Sequence, residues 1–238
     1  MPEAPDVIVD VRGIQKNYQG LRPLRVTRLE LRAAESIALL GFDQAAAEAF
    51  VNLITGATLP DSGEVTTFGR PTSLIQDPDA WLKSLDDFGI LSERAVVVDN
   101  MTVEDNLTMP VTMALHDVPE AVRARIRALA NEVGLAADRL SQAAAVLTPS
   151  ERLRLRLGRA LGPGPRVLLA EHPNAALTDS ELTAFASDYS QIISARGVAS
   201  LMLTANRQFA HAIASRILTL QPATGELKPD SPWRRWFS

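Results

Sequence analysis

The chain has 238 residues, 46% of them hydrophobic, and a formal net charge of -4. That apolar content suffices for one sizeable core, and the acidic balance argues against broad nucleic-acid binding. The absence of cysteine excludes disulfides, thiolate metal sites and cysteine nucleophiles.

The first residues, MPEAPDVIVDV, carry neither a basic nor an apolar leader segment, and no apolar run approaches the ~20 residues of a membrane span, so a cytoplasmic protein is expected. VIVDVRGIQKNY (Val7–Tyr18) alternates apolar and polar residues as a half-buried strand does. LRVTRLELRAAESIALLG (Leu24–Gly41) reads as a second alternating strand, a turn, and a short apolar strand over Ser36–Leu40. In DQAAAEAFVNLITG, Asp43 is a good N-cap, the alanines favour helix and Gly56 is a natural stop. Pro60, Asp61, Ser62 and Gly63 supply a turn into the next strand. FGILSE (Phe88–Glu93) is a short strand running into a loop.

From Thr102 to Ala160 the pattern is helical. Thr102 and Asp105 have capping-box spacing; Val122, Ile126, Leu129 and Val133 recur three to four apart before Gly134; Pro149 suits a helix N-terminus. RVLLAEHP (Arg166–Pro173) is a buried-type strand, followed by a helix over Asp179–Gly197, a strand over Ala199–Asn206, a helix running into a last strand over Arg207–Gln221, and a turn, ATGELKP. Strands alternating with helices imply an α/β fold with a mostly parallel sheet, interrupted by a helical subdomain at about 102–160. The expected organisation is one domain over 1–228 and a short tail over 229–238.

The order and spacing of these pieces resemble the ATPase domain of ATP-binding cassette (ABC) transporters, from about Val7 to Leu227. VRGIQKNY resembles that family's first strand with its adenine-stacking aromatic, here Tyr18. LPDSGEVTTFGRP resembles the strand after the phosphate-loop helix, and MTVEDNLTMP the segment after the Q-loop. RLRLGRALGPGPRVLLAEHPNAAL resembles the helix after the signature, the Walker B strand and the D-loop. The resemblance implies a P-loop NTPase-like fold with an N-terminal antiparallel β subdomain, ATP and Mg²⁺ as ligands, a head-to-tail dimer, and coupling to a membrane permease.

The motif positions depart from the family pattern. In GxxGxGK[ST], glycines turn backbone amides toward phosphates, lysine reaches them and the hydroxyl holds Mg²⁺. Aligned from Gly41, the second and third glycines fall on Gln44 and Ala46, the lysine on Ala47 and the hydroxyl on Glu48; Asp43 adds a second carboxylate. At the end of the Walker B strand, Glu171 takes the place of the Mg²⁺-supporting Asp and His172 that of the water-polarising Glu. The Q-loop glutamine falls on Glu93 and the switch histidine on Ala205. The LSGGQ signature falls on Leu147, Thr148, Pro149, Ser150 and Glu151, where Pro149 removes an amide. No intact catalytic set and no metal-ligand set is expected; His116 and His211 match no ligand spacing.

ATP and Mg²⁺ binding is therefore expected to be weak or absent, with the old phosphate site satisfied by the chain's own side chains. The resemblance then implies a noncatalytic ABC subunit partnering a membrane permease, a second ABC ATPase, or both, as a homo- or heterodimer at the inner face of the membrane. The alternative is an active ATPase with Glu171 as metal ligand and His172, of unperturbed pKa ~6.5, as base. Arg123, Arg125, Arg127, Arg152, Arg154, Arg156 and Arg159 read as solvated or salt-bridging helix faces. Trp233–Phe237 reads either as an anchor to a partner or membrane interface, or as a tail folded back on its domain.

Overall fold

The structure, a computed structural model, describes residues 6–112, 117–173 and 177–230. His116, part of the D-loop stretch (174–176) and the segment Trp233–Phe237 lie outside the described residues.

Two sheets form the scaffold. β1 (Val7–Lys16), β2 (Leu24–Arg32), β4 (Ser62–Thr67) and β5 (Arg70–Pro71) make an antiparallel sheet in the order β2-β1-β4-β5. One face is apolar: Val9, Val11 and Leu31 are fully buried, and Arg12, Arg25 and Arg28 stay exposed. The first strand stops at Lys16, short of Tyr18, because Asn17 turns out of the ladder and gives its amide to Asp61 at 2.7 Å.

The second sheet contains β3 (Ser36–Leu40), β6 (Phe88–Leu91), β7 (Val167–Glu171), β8 (Ala199–Leu203), β9 (Arg216–Gln221) and β10 (Glu226–Pro229), in the order β10-β9-β3-β8-β7-β6. All its pairings are parallel except β10 with β9. β3, β8 and β7 read as near-continuous apolar runs because both faces are covered. Successive side chains serve opposite cores. Ile37, Leu39, Val167, Leu169, Leu201 and Leu203 pack toward the antiparallel sheet and α1 (Gln44–Ile54). Ala38, Leu40, Leu168, Ala170 and Met202 pack toward the remaining helices.

α2 (Pro78–Ser84) lies against the end of α1, where Trp81 Nε1 donates to the Thr55 carbonyl at 3.0 Å; the helices on this second face are α3 (Val103–Thr108), α4 (Glu120–Glu132), α5 (Pro149–Leu161), α6 (Asp179–Arg196) and α7 (Arg207–Ile213). Among the described residues between β6 and β7, α3, α4, α5 and short 3-10 turns form the inserted helical part. Its core joins Leu107, Ile126, Leu129, Val133 and Leu155. It approaches the sheet closely where Gly89 of β6 meets α5; a Cβ there would lie 2.6 Å from the Ala160 carbonyl oxygen.

Three arginines of α5 staple this subdomain: Arg152 to Asp99 at 2.6 Å, Arg154 to Asp188 at 2.6 Å, and Arg159 to the Asn106 carbonyl at 2.6 Å. Arg123 and Arg127 of α4 pair with Glu104 and Glu120, and Arg125 donates to the Gly162 carbonyl.

The sequence reading passes over α2 and the two-residue β5, and reads β10 as a turn. α2 carries its own signal, an Asp77 N-cap and Pro78 at the first helical position, but it buries no residue and so lacks an apolar stripe. The stretch read as a turn, ATGELKP, turns only at its start; Glu226–Pro229 then pair with Leu218–Gln221 as an edge strand.

Candidate functional site

The C-terminal ends of the parallel strands converge on one rim, which is where open α/β sheets place ligands. Leu40 leads into Gly41 and α1, Leu91 into a loop, Glu171 into His172, and Leu203 into Ala205 and α7. Three groups of expected residues thus lie along this rim: Gly41–Glu48, Glu171–His172 and Ala205.

The start of α1 is closed by its own cap. Asp43 Oδ1 accepts the Ala46 amide at 2.7 Å, and the Ala47 amide bonds the Asp43 carbonyl at 2.9 Å. Gln44 and Ala45 are exposed, whereas Ala47, at the lysine position, is fully buried beneath the helix. Gly41 suits its place by backbone conformation and packing. Its φ is +86°, and a Cβ would stand 3.1 Å from the Leu220 carbonyl oxygen. Gly56 follows the helix at φ +71°, the stop its sequence position suggests.

The end of β7 holds the most unusual arrangement. The Glu171 side chain is fully buried. Its Oε2 accepts from Ser92 Oγ at 2.7 Å and from Arg94 Nε at 3.0 Å, and its Oε1 pairs with Arg94 Nη2. Arg94 Nη1 reaches Glu48 Oε1 at 3.2 Å. One guanidinium therefore joins the two residues at the hydroxyl and Walker B Asp positions. The hydrogen bond to Glu171 raises the Arg94 pKa above its ordinary value against the opposing effect of burial. A buried carboxylate without such a partner costs several kcal/mol, so this pair holds the rim's geometry.

Glu93 itself points to solvent and takes no part. Sequence reasoning found Glu93 and missed its neighbours Ser92 and Arg94, whose partners lie 46 to 79 positions away along the chain.

His172 has a left-handed backbone, φ +43°, uncommon outside glycine. Its amide donates to the Leu203 carbonyl at 2.8 Å, and its Nε2 is buried with no partner among the described residues. Ala205 is exposed between β8 and the Asn206 N-cap of α7, which accepts the Phe209 amide at 2.9 Å. His211, far from this rim, pairs with Asp230 at 3.2 Å.

Tyr18 stands over a cleft of about 400 Å³ lined by Ala45, Glu48, Ala49, Asn52 and Thr58. Burial raises the Tyr18 pKa, and the Asp43 charge adds to the rise, so the ring stays a neutral phenol.

The residues Leu147–Glu151 form a separate unit at the start of α5. Thr148 and Glu151 make a full capping box: Glu151 Oε2 accepts the Thr148 amide at 2.9 Å, and Thr148 Oγ1 accepts the Glu151 amide at 3.2 Å. Arg139 holds Glu151 at 2.8 Å, and Pro149 occupies the first helical position. Among the described residues no hydrogen bond or ion pair links this unit to the rim.

A six-stranded, mostly parallel sheet with a strand–loop–α1 rim, an antiparallel β subdomain and an inserted helical subdomain defines a P-loop NTPase-type cassette. A sequence model described as ABC transporter matches residues 24–175, and the chain belongs to that family.

The lipoprotein-releasing system ATP-binding protein LolD of Maricaulis maris is 31% identical over 95% of this chain and 99% of its own length. The pyoverdine export ATP-binding/permease protein PvdT of Pseudomonas aeruginosa is 27% identical over 95% of this chain, which spans 34% of that longer protein. Among solved structures, the dimeric ATP-binding cassette MJ0796 in a post-hydrolysis state bound to ADP and phosphate superposes with a TM-score of 0.78 at 19% identity, covering 94% of this chain and 98% of that one. CbiO1 of Clostridium perfringens, part of an ABC transporter complex, gives 0.80 at 16% identity, covering 93% of this chain and 87% of that one. Among the described residues no helix is long and apolar enough to cross a membrane.

Proposed function

We propose that this chain is a noncatalytic ABC subunit, a cassette over residues 1–228 with a tail over 229–238. It acts as a structural or regulatory partner of a membrane permease at the membrane's inner face, beside an intact ATPase or a second copy. The observation that carries this reading is the closed start of α1. Asp43 fills the amide that a phosphate would need, and a fully buried Ala47 stands at the lysine position. A helix N-terminus attracts anions, and here the anion is supplied from within.

The partner side rests on family membership and on relatives that are ATP-binding components of transport systems. Head-to-tail pairing of cassettes would set each rim against the partner's signature region. With Thr148 and Glu151 engaged in a capping box, this chain offers neither half of a composite ATP site.

Calorimetry with millimolar ATP and a Mg-ATPase assay on the purified chain test the reading. No binding and no turnover are expected. Turnover that His172→Ala abolishes would establish the alternative, in which Glu171 holds a metal and His172 is the base. That alternative requires at least one Glu171 oxygen to exchange its contact with Arg94 or Ser92 for the metal. Affinity purification from the host tests the partner side: recovery with a permease or a second ATPase is expected, and recovery of the chain alone counts against it.

A further inference from the structure

Glu48 and Glu171 stand, residue by residue, at the two positions where the family pattern supports Mg²⁺, and both carry negative charge. What lies between them in this fold is the guanidinium of Arg94. We infer that Arg94 is a built-in cation standing in the place of the family's metal ion, so that the chain itself supplies the counter-charge between the two carboxylates and takes no divalent cation from solution. The inference rests on the noncatalytic reading above and names what occupies the emptied centre.

Three observations carry it. The first is geometric. Arg94 engages both oxygens of Glu171 through Nε and Nη2 and turns Nη1 to Glu48 at 3.2 Å. A planar fork suits this task where an ammonium would not.

The second is saturation. Ser92 Oγ donates to Glu171 Oε2 at 2.7 Å and accepts the Arg94 amide at 3.1 Å, so the loop is folded around the same carboxylate. Mg²⁺ demands near-octahedral oxygen ligands at short distance. With both Glu171 oxygens engaged and a guanidinium in contact, the residues present do not fit that ion. Among the described residues no group of three or more Asp, Glu or His is placed to hold a metal.

The third is connectivity. Arg94 lies on the loop between β6 and α3, so its pairs tie the entry of the helical subdomain to β7 and α1. A ligand-dependent tie becomes a permanent one.

The test uses the purified full chain and Mn²⁺, read by electron paramagnetic resonance and by thermal melting. The wild type is expected to bind no Mn²⁺ at about 1 mM and to show an unchanged Tm. Arg94→Ala leaves Glu171 buried and unpaired; its Tm is expected to fall by about 5–10 °C and to recover by at least half with Mn²⁺. The recovery is expected to vanish in Arg94→Ala/Glu171→Gln.

If Arg94→Ala does not fold, Arg94→Met and Arg94→Met/Glu171→Gln replace it. The double variant, with the charge removed from both sides, is expected to melt above the single one. One-to-one Mn²⁺ binding to the wild type that Glu171→Gln abolishes would overturn the inference. So would an Arg94→Ala protein that Mn²⁺ stabilises no more than the wild type, or an Arg94→Met defect that Glu171→Gln leaves unrelieved. ATP binding by the wild type in EDTA would instead sink the noncatalytic reading and leave the role of Arg94 standing.

Discussion

The starts of α1 and α5 meet the same physical demand by different means. Each presents amides with no partner inside the helix and the positive end of a helix dipole. At α1 a single carboxylate, Asp43, takes the Ala46 amide, and the exposed Ala45 borders the open cleft beneath Tyr18. At α5, Thr148 and Glu151 each take the other's amide, Arg139 holds Glu151 in place, and Pro149 has no amide to satisfy. One start is closed by a single side chain beside a cavity, and the other is closed from both sides. The two starts are therefore both ordered locally, and α5 has the more complete cap.

The largest effect expected from this contrast concerns burial. Ala47→Lys must bury an ammonium beside Phe50 and Val51 or displace α1, since Ala47 is fully buried. A cost of about 3–5 kcal/mol and a Tm lower by roughly 10 °C are expected, with no gain of ATP affinity by calorimetry. Ser150→Lys, on the half-buried first turn of α5, is expected to move Tm by less than about 2 °C. Equal losses would erase the distinction between the two starts.

A middle effect concerns the caps themselves. Thr148→Ala/Glu151→Ala removes a two-way box and the Arg139 bridge, and is expected to cost about 1–2 kcal/mol, a Tm drop of roughly 3–6 °C. Asp43→Ala removes one hydrogen bond and is expected to cost about 1 kcal/mol. A larger loss for Asp43→Ala would reverse the ranking.

The smallest effect is a pH dependence at Glu151. Burial pushes its carboxyl up, but the Thr148 amide, the Thr148 hydroxyl and Arg139 outweigh it, and the pKa lies below the ordinary value. A depressed folded-state pKa gives stabilisation that is full above the unfolded value, about 4.3, and is lost as pH falls through the folded value. The Tm gap between the wild type and Glu151→Gln is therefore expected to hold from pH 7 to about 5 and to close below about 4. A gap unchanged at pH 3 would remove the Glu151 charge from the account.

Much of this molecule was legible in its amino-acid order, for reasons that differ by element. β3, β7 and β8 announced themselves as apolar runs because both faces are covered, and α6 was legible over Asp179–Gly197, close to its observed span. The Asp43 cap was legible because donor and acceptor are three residues apart. Short-range chemistry of this kind writes itself into spacing.

The Arg94 bridge was not legible. Its partners Glu48 and Glu171 come from distant stretches, and nothing near Arg94 in sequence marks it as different from any solvated arginine. Nor could the sequence say that Gly41 has a positive φ and lies against the Leu220 carbonyl, since Leu220 is far along the chain.

The pairing of β3 has a consequence for how the chain is made. Ser36 lies beside Ser200 on one side, and Ile37 beside Arg216 on the other. The centre of the sheet therefore cannot assemble until the last quarter of the chain has left the ribosome, and a topology so dominated by distant contacts folds slowly. Meanwhile the apolar faces of β3 and α1, with Ile37, Leu39, Phe50 and Val51, wait without their partners. The nascent chain, more than the finished one, is where a chaperone or an early-arriving subunit would matter most.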